Sequence, residues 1–211
     1  ASPAGPTSGA CGPAVRIAIL GAGAWGSALA ISFSAAHAVR LWARRREACE
    51  ALSRNRSSPY LPEVPFPDAL RVEADLGAAL AGCDLAIVAT ATAGLRDTAE
   101  AVRAFAPTTS LLWACKGFEQ GTRLLPHEVV AEALPGAACR GALSGPSFAL
   151  EVARGQPTAI VLASRDEAFA SGTAAALNGP RLRIYSSTDL AGVELGGAVK
   201  NVIAIAAGIA D

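Results

Sequence analysis

The stretch Val15-Arg-Ile-Ala-Ile-Leu-Gly-Ala-Gly-Ala-Trp-Gly-Ser-Ala-Leu-Ala30 constrains this chain more than any other. The apolar run Val15–Leu20 predicts a buried strand, and the alanine-rich segment reaching Ala36 predicts a helix. Between them stand Gly21, Gly23 and Gly26. A glycine turn joining a first strand to a helix is the setting in which the G-x-G-x-x-G pattern binds a dinucleotide. Gly21 then makes the sharp turn, Gly23 admits a pyrophosphate close to the backbone, and Gly26 lets helix and strand pack closely. The free N–H groups and the positive end of the helix dipole would hold the phosphates. The alternative is a glycine turn that serves packing alone.

The rest of the chain continues that pattern. Ala38–Trp42 reads as the second strand, and it ends at Ala43-Arg44-Arg45-Arg46. An acidic residue here favours the ribose 2′-hydroxyl of NAD, whereas arginine accommodates the 2′-phosphate of NADP. The first acid is Glu47, so Arg44 and Arg45 point to NADP(H) with NAD(H) as a second cofactor; a solvated basic turn is the alternative. Residues 54–68 contain Pro59, Pro62, Pro65 and Pro67 and predict an irregular loop. A short strand is expected at Leu70–Val72 and a helix capped by Asp75 up to Ala81. Leu85–Ala89 and Ser110–Ala114 read as strands apolar on both faces, as parallel strands are. Helices are expected at Arg96–Ala104 and Thr122–Ala133, with Pro126 interrupting the start of the second. Strands at Gly141–Leu143, Thr158–Leu162 and Leu182–Tyr185 and a helix near Asp166–Leu177 complete the alternation. Such alternation predicts an α/β fold, a Rossmann-like doubly wound, mostly parallel sheet.

Leu190–Asp211 has helical length and few polar residues, yet carries Gly192, Gly196 and Gly197. Each glycine costs about 1 kcal/mol against alanine inside a helix, so another backbone or a ligand is expected close by. The expected division is a flexible leader at 1–14, a dinucleotide-binding domain at 15–188 and the start of a truncated helical substrate domain at 189–211. The apolar Leu190–Ala210 helix is expected to need a covering surface, through which the chain would self-associate.

Composition excludes several classes. With 18 basic and 18 acidic residues, the chain is not a general nucleic-acid or membrane-surface binder. No apolar run reaches the length of a membrane span. Cys11, Cys49, Cys83, Cys115 and Cys139 are widely spaced with no C-x-x-C pair, so reduced thiols and a cytoplasmic location are expected. With only two histidines and no cluster of ligating residues, a metal site is not expected. There is no G-x-x-x-x-G-K-[ST] loop for ATP hydrolysis.

Three places carry candidate chemistry. Lys200 has Gly196, Gly197, Ile203 and Ala204 as its helical neighbours, so no acid pairs with it along the helix. It is either a lysine snorkelling to the surface or a cation meeting a substrate oxygen as general acid. Asn201 beside it is equally open. Lys116 follows the carboxyl end of a predicted parallel strand, the edge where open α/β sheets bind ligands, or else it is a solvated loop lysine. Ser144-Gly-Pro-Ser-Phe148 is a turn able to bind an oxyanion. A nucleophile at Ser147 lacks support, because His37 and His127 both precede it and the hydrolase order needs a later histidine.

Taken together, these pieces resemble the bacterial NAD(P)-dependent glycerol-3-phosphate dehydrogenases. The matching stretches are Gly21–Ala30, Tyr60-Leu-Pro62, Ala114–Glu119, Leu143–Ala149 and Gly192–Gly208, over about residues 15–211. The resemblance implies reduction of dihydroxyacetone phosphate to sn-glycerol 3-phosphate with NADPH or NADH, feeding glycerophospholipid synthesis. It implies cofactor contacts at Ala24, Trp25, Arg44, Arg45 and Ala149, and Lys116 shared between cofactor and substrate. Gly145, Ser147 and Asn201 would contact substrate, and Lys200 would transfer the proton. The family continues into a helical domain supplying further contacts, so a chain of this length is expected to bind NADPH weakly and to turn over little substrate. A homodimer is the assembly considered. A same-fold dehydrogenase of another phosphorylated or carboxylated substrate, and a non-catalytic dinucleotide-binding module, are the competing readings.

Overall fold

The structure, a computed structural model, describes the backbone of residues 14–210 and the side chains of residues 14–200. Almost all of the expected leader, Cys11 and the side chain of Asn201 lie outside the described residues.

In chain order the elements are β1 (Arg16–Leu20), α1 (Ala24–Phe33), β2 (Ala38–Trp42), α2 (Arg46–Asn55), β3 (Ser57–Ser58), β4 (Leu61–Pro65), β5 (Arg71–Glu73), α3 (Leu76–Leu80) and β6 (Leu85–Val88). They continue with α4 (Leu95–Phe105), β7 (Ser110–Trp113), α5 (Pro126–Ala133), β8 (Arg140–Ser144), α6 (Ala149–Ala153), β9 (Thr158–Ala163), α7 (Glu167–Leu177), β10 (Leu182–Ser187) and α8 (Leu190–Ala210). Eight strands form one sheet in the order β10-β9-β8-β7-β6-β1-β2-β5. All neighbours run parallel except β8 and β9. This is the doubly wound, mostly parallel sheet expected from the alternation of elements.

Strand periodicity explains why both faces are covered. Ile17, Ile19, Ile87, Leu112 and Leu143 point into one core with residues of α1, α2, α6 and α7. Ala18, Leu20, Ala86, Val88, Leu111 and Trp113 point into the other, with residues of α3, α4 and α5 and with Leu190 of α8. Successive side chains of a strand face opposite ways, so continuously apolar strands require two layers of helices.

The helix ends follow their local chemistry. Asp75 and Asp166 cap α3 and α7 by accepting from the N–H groups of Ala78 at 2.7 Å and Phe169 at 3.0 Å. Pro126 starts α5 rather than interrupting it. Its fixed φ suits the first helical position, where a missing N–H costs nothing. The Leu125 N–H before it donates to Glu128 Oε2 at 2.8 Å.

Residues 54–68 differ from the expected loop. They hold the end of α2 and an antiparallel pair, β3 with β4. Pro62 and Pro65 are tolerated because this ribbon has only two strands, leaving unpaired edges where a missing N–H breaks no ladder bond. α2 and α6 are not signalled by the sequence. α2 buries only Cys49 and Leu52, and α6 spans five residues.

Among the described glycines, the one with least room for a Cβ lies in the first turn. Gly21 has φ +121°, and a Cβ on Gly26 would stand 1.9 Å from the Gly21 carbonyl oxygen. Gly23, by contrast, has nothing within 4 Å of a Cβ position. Gly26→Ala should therefore destabilise the fold by about 1–3 kcal/mol or more, while Gly23→Ala leaves it within about 0.5 kcal/mol. Urea unfolding of both variants checks this; equal stabilities would show that the close approach is not required.

Candidate active site

The strand order reverses between β1 and β6, and the crevice beyond their carboxyl ends is where doubly wound sheets bind ligands. A cavity of about 630 Å³ lies there. Its lining includes Gly21 and Gly23 of the first turn, Arg44 and Arg45 after β2, and Thr90 after β6. Gly23 precedes the first residue of α1, and the N–H groups of that first turn have no intrahelical acceptor. Thr90 Oγ1 is buried and lacks a hydrogen-bond partner. An open glycine turn, a helix N-terminus, exposed guanidinium groups and an unsatisfied hydroxyl fit a dinucleotide with its phosphates.

The structure brings Gly21, Gly23, Arg44 and Arg45 into this lining together. Gly26 is buried and serves the close packing of α1. Ala24 and Trp25 form the start of α1 beside the cavity, and Trp25 packs half-buried against the core. Ala149 opens α6, which packs against α1, and is likewise half-buried.

A second cavity, of about 290 Å³, lies where the ends of β8 and β9 meet α8. It is lined by Ser144, Gly145, Pro146, Val161, Val193, Gly196, Gly197 and Lys200. The α8 glycines each have a separate reason. A Cβ on Gly192 would lie 2.0 Å from the Asp189 carboxylate, which caps α8 by accepting from the Gly192 N–H at 2.9 Å. A Cβ on Gly197 would lie 2.9 Å from Ser144 Oγ and 3.6 Å from the Lys116 stem. Gly196 meets nothing within 4 Å and opens onto the cavity. Ser147 follows the Gly145–Pro146 turn, partly exposed and outside the cavity lining.

Lys116 joins the two cavities. Its carbonyl accepts from Thr92 Oγ1 at 2.7 Å, in the segment that lines the first cavity. Its ammonium donates to the Gly145 carbonyl at 3.1 Å, beside the second. Gly117, at φ +103°, turns the chain away directly afterwards. The following loop is pinned by Arg96, which bridges Glu119 and Glu132 at 2.8 Å each. Hydrogen bonds from Arg96 and then Thr122 hold the Glu119 carboxyl down to about 2. Burial pushes the thiol of the preceding Cys115 up to about 12.

Although Lys116 lies at the surface, its ammonium is partly shielded, and this shielding lowers its pKa below the usual lysine value. The neighbouring charge of Lys200 lowers it further. Two ammonium groups thus face one turn. Lys116 and Lys200 are also the only lysines in a sequence whose 18 basic residues are otherwise arginine, a signal in the sequence that the spacing of motifs did not use. Asn201 follows Lys200 on α8.

Residues 16–170 match the family described as NAD-dependent glycerol-3-phosphate dehydrogenase N-terminus, and residues 189–211 match its C-terminus. The chain belongs to the NAD-dependent glycerol-3-phosphate dehydrogenase family. A glycerol-3-phosphate dehydrogenase [NAD(P)+] of Aromatoleum aromaticum is 54% identical over 198 residues, covering 93% of this chain and 60% of that protein. The chain spans about 60% of the length of the curated relatives it matches. The crystal structure of glycerol-3-phosphate dehydrogenase from Coxiella burnetii superposes with a TM-score of 0.86 at 38% identity, over 94% of this chain and 61% of that one. An imine reductase from Pseudomonas sp. shares the fold alone, at 16% identity and a TM-score of 0.59 over 93% of this chain and 62% of that one.

Among the described residues no helix is long and apolar enough to cross a membrane, and no group of three or more His, Cys, Asp or Glu side chains could hold a metal ion. The described cysteines, Cys49, Cys83, Cys115 and Cys139, are free.

The lysine pair yields a direct test. Removing the Lys200 charge in Lys200→Met should raise the pKa of Lys116, leaving only the part of its depression due to shielding. Reductive methylation with ¹³C-formaldehyde labels only these side chains and the N-terminal amine, so an NMR pH titration reads Lys116 directly. An unchanged Lys116 midpoint would separate the two ammonium groups.

Proposed function

We propose that the protein reduces dihydroxyacetone phosphate to sn-glycerol 3-phosphate with NADPH, and with NADH as a second cofactor, for glycerophospholipid synthesis. The observation that carries this reading is the Lys116–Lys200 pair around the Gly145 turn, directly beside the dinucleotide cavity. A phosphorylated ketone needs cations for its phosphate and a proton donor for its carbonyl oxygen, and this edge of the sheet offers both. A dinucleotide-binding module alone gives no reason for the second cavity and its lysine.

Gly21, Gly23 and the first-turn N–H groups of Ala24, Trp25 and Gly26 would hold the pyrophosphate, with Arg44 and Arg45 on the 2′-phosphate and Ala149 near the cofactor. When bound there, the dinucleotide would supply the hydride for C2 of the substrate. Lys200 donates a proton to the oxygen that develops negative charge, completing the hydroxyl. Lys116, Gly145, Ser147 and Asn201 orient the substrate, with Lys116 spanning both ligands. We assign residues 15–188 to the cofactor domain and 189–211 to the start of the substrate domain, with α8 bringing Lys200 across. The protein is placed in the cytoplasm. Association through α8, where Leu195 and Val199 are exposed, would give a homodimer.

Cofactor choice follows from the arginines. Charge-assisted bonds to the 2′-phosphate contribute about 1.5–3 kcal/mol when well formed. Replacing Arg44 and Arg45 by alanine should weaken NADPH binding by roughly 10- to 150-fold while sparing NADH. Isothermal titration with both cofactors measures this, and equal losses would remove the arginines from the 2′-phosphate.

The reaction itself is tested by loss of NADPH absorbance with dihydroxyacetone phosphate, using the protein at its natural length. Lys200→Met should lower turnover at least about a hundredfold with little change in NADPH affinity. Near-normal turnover would return Lys200 to a surface role, and no turnover by the unsubstituted protein would overturn the proposed reaction.

A further inference from the structure

α8 carries Lys200, but it is fastened to the sheet elsewhere, at Glu194. This side chain is buried, and its carboxylate is bonded on both oxygens. Oε1 accepts from the Trp113 indole N–H at 2.8 Å and from the backbone N–H of His127 at 2.9 Å. Oε2 lies 2.5 Å from His127 Nδ1, and the far ring nitrogen of His127 lies 3.2 Å from an Arg165 guanidinium nitrogen. A guanidinium can only donate, so His127 Nε2 is the acceptor and the ring proton resides on Nδ1, where it is donated to Glu194. The carboxylate therefore accepts N–H groups from β7 and α5 while sitting on α8.

The position of this anchor relates directly to the two lysines. Trp113 ends β7, and Lys116 follows it on the same exit from the sheet. Glu194 and Lys200 share α8, separated by about 9 Å along the axis at 1.5 Å per residue. Between them Gly197 seats the helix against Ser144 Oγ and the Lys116 stem. One fixed point and one seat together set both the rotation and the height of a rigid helix. Without the anchor, an apolar glycine-containing helix could turn or slide and still bury similar surface, because apolar contacts are not directional.

We propose that Glu194 is a positioning residue for the lysine pair: by docking α8 on Trp113 and His127 it fixes the rotation and height of the helix, and so holds Lys200 beside Lys116 across the Ser144–Pro146 turn. The carboxylate takes no part in proton transfer. It ties the strand that delivers one lysine to the helix that delivers the other. The significance of this placement for catalysis rests on the proposed reaction, but the placement is tested without turnover.

Because the chain has no other lysine, a short amine-to-amine cross-linker such as difluorodinitrobenzene gives a single lysine–lysine intramolecular product, identified by peptide mass. The unsubstituted protein should form it readily. In Glu194→Gln, which keeps the shape but turns an amide N–H₂ toward N–H donors, its rate should fall about tenfold, since small misplacements of paired groups act strongly on rate. The N-terminal amine should react at an unchanged rate, and circular dichroism should show a folded chain. Trp113→Phe removes one donor and keeps an aromatic ring; it should slow the cross-link less, in the same direction. At natural length both variants should lower kcat more than they raise the KM for NADPH. Unchanged cross-linking in either folded variant, or no cross-link in the unsubstituted protein, would overturn the proposal. If Glu194→Gln does not fold, Trp113→Phe decides alone. Slowed cross-linking in a protein that never reduces dihydroxyacetone phosphate would leave the positioning role standing and remove the proposed reaction.

Discussion

The parallel direction of β1, β6, β7 and β8 is the constraint on which the candidate site depends. Parallel strands put all their carboxyl ends on one edge, so the segments that leave them are neighbours however far apart they lie in sequence. Gly21–Gly23 leave β1, Thr90 leaves β6, Lys116 follows β7 and Gly145 follows β8, and all four meet along that edge. The apolar, alternately facing residues of these strands are therefore a condition of the chemistry as well as of the core. The antiparallel pairing of β8 with β9 sends the chain back, so that β9 and β10 extend the sheet beyond the site and α8 returns across the end of β8.

Electrostatics then sets what the candidate site would favour. Two unit charges 4 Å apart repel by about 1 kcal/mol in water and by about 4 kcal/mol at a near-surface dielectric of about 20. Lys116 and Lys200 are near enough to depress the titration of Lys116, and among the described residues the Lys116 ammonium bonds the Gly145 carbonyl. Arg16 and Arg96, by contrast, are held by carboxylates, Arg16 by Asp84 and Arg96 by Glu119 and Glu132. Leaving two ammonium groups facing one turn is unfavourable in isolation. An anion such as the phosphate of the proposed substrate would relieve the repulsion on binding.

Much of the fold was legible because its signals are local. The strand–glycine–helix opening, the Asp75 and Asp166 caps and the apolar central strands each follow from a few adjacent residues. What was not legible depends on tertiary context. α2 is mostly solvated, so its pattern resembles a polar loop. Pro62 and Pro65 read as loop residues because nothing local shows that their strand lies in a two-stranded ribbon. Within the site, the glycines, arginines and lysines stood out by type and spacing, whereas Glu194 did not. Its partners Trp113 and His127 are 81 and 67 residues away, and only the folded sheet brings an ordinary helix glutamate into a buried hydrogen-bond network.

The central claim is that one ligand-bearing edge uses both lysines at once. Differential acylation measures it most directly: the protein is treated with a trace amine-acylating reagent, with and without NADP⁺ and sn-glycerol 3-phosphate together, and the labelling of Lys116 and Lys200 is read by mass spectrometry. The account predicts that the pair of ligands protects both lysines while the N-terminal amine reacts as before. Protection of neither, or of Lys116 alone, would contradict it.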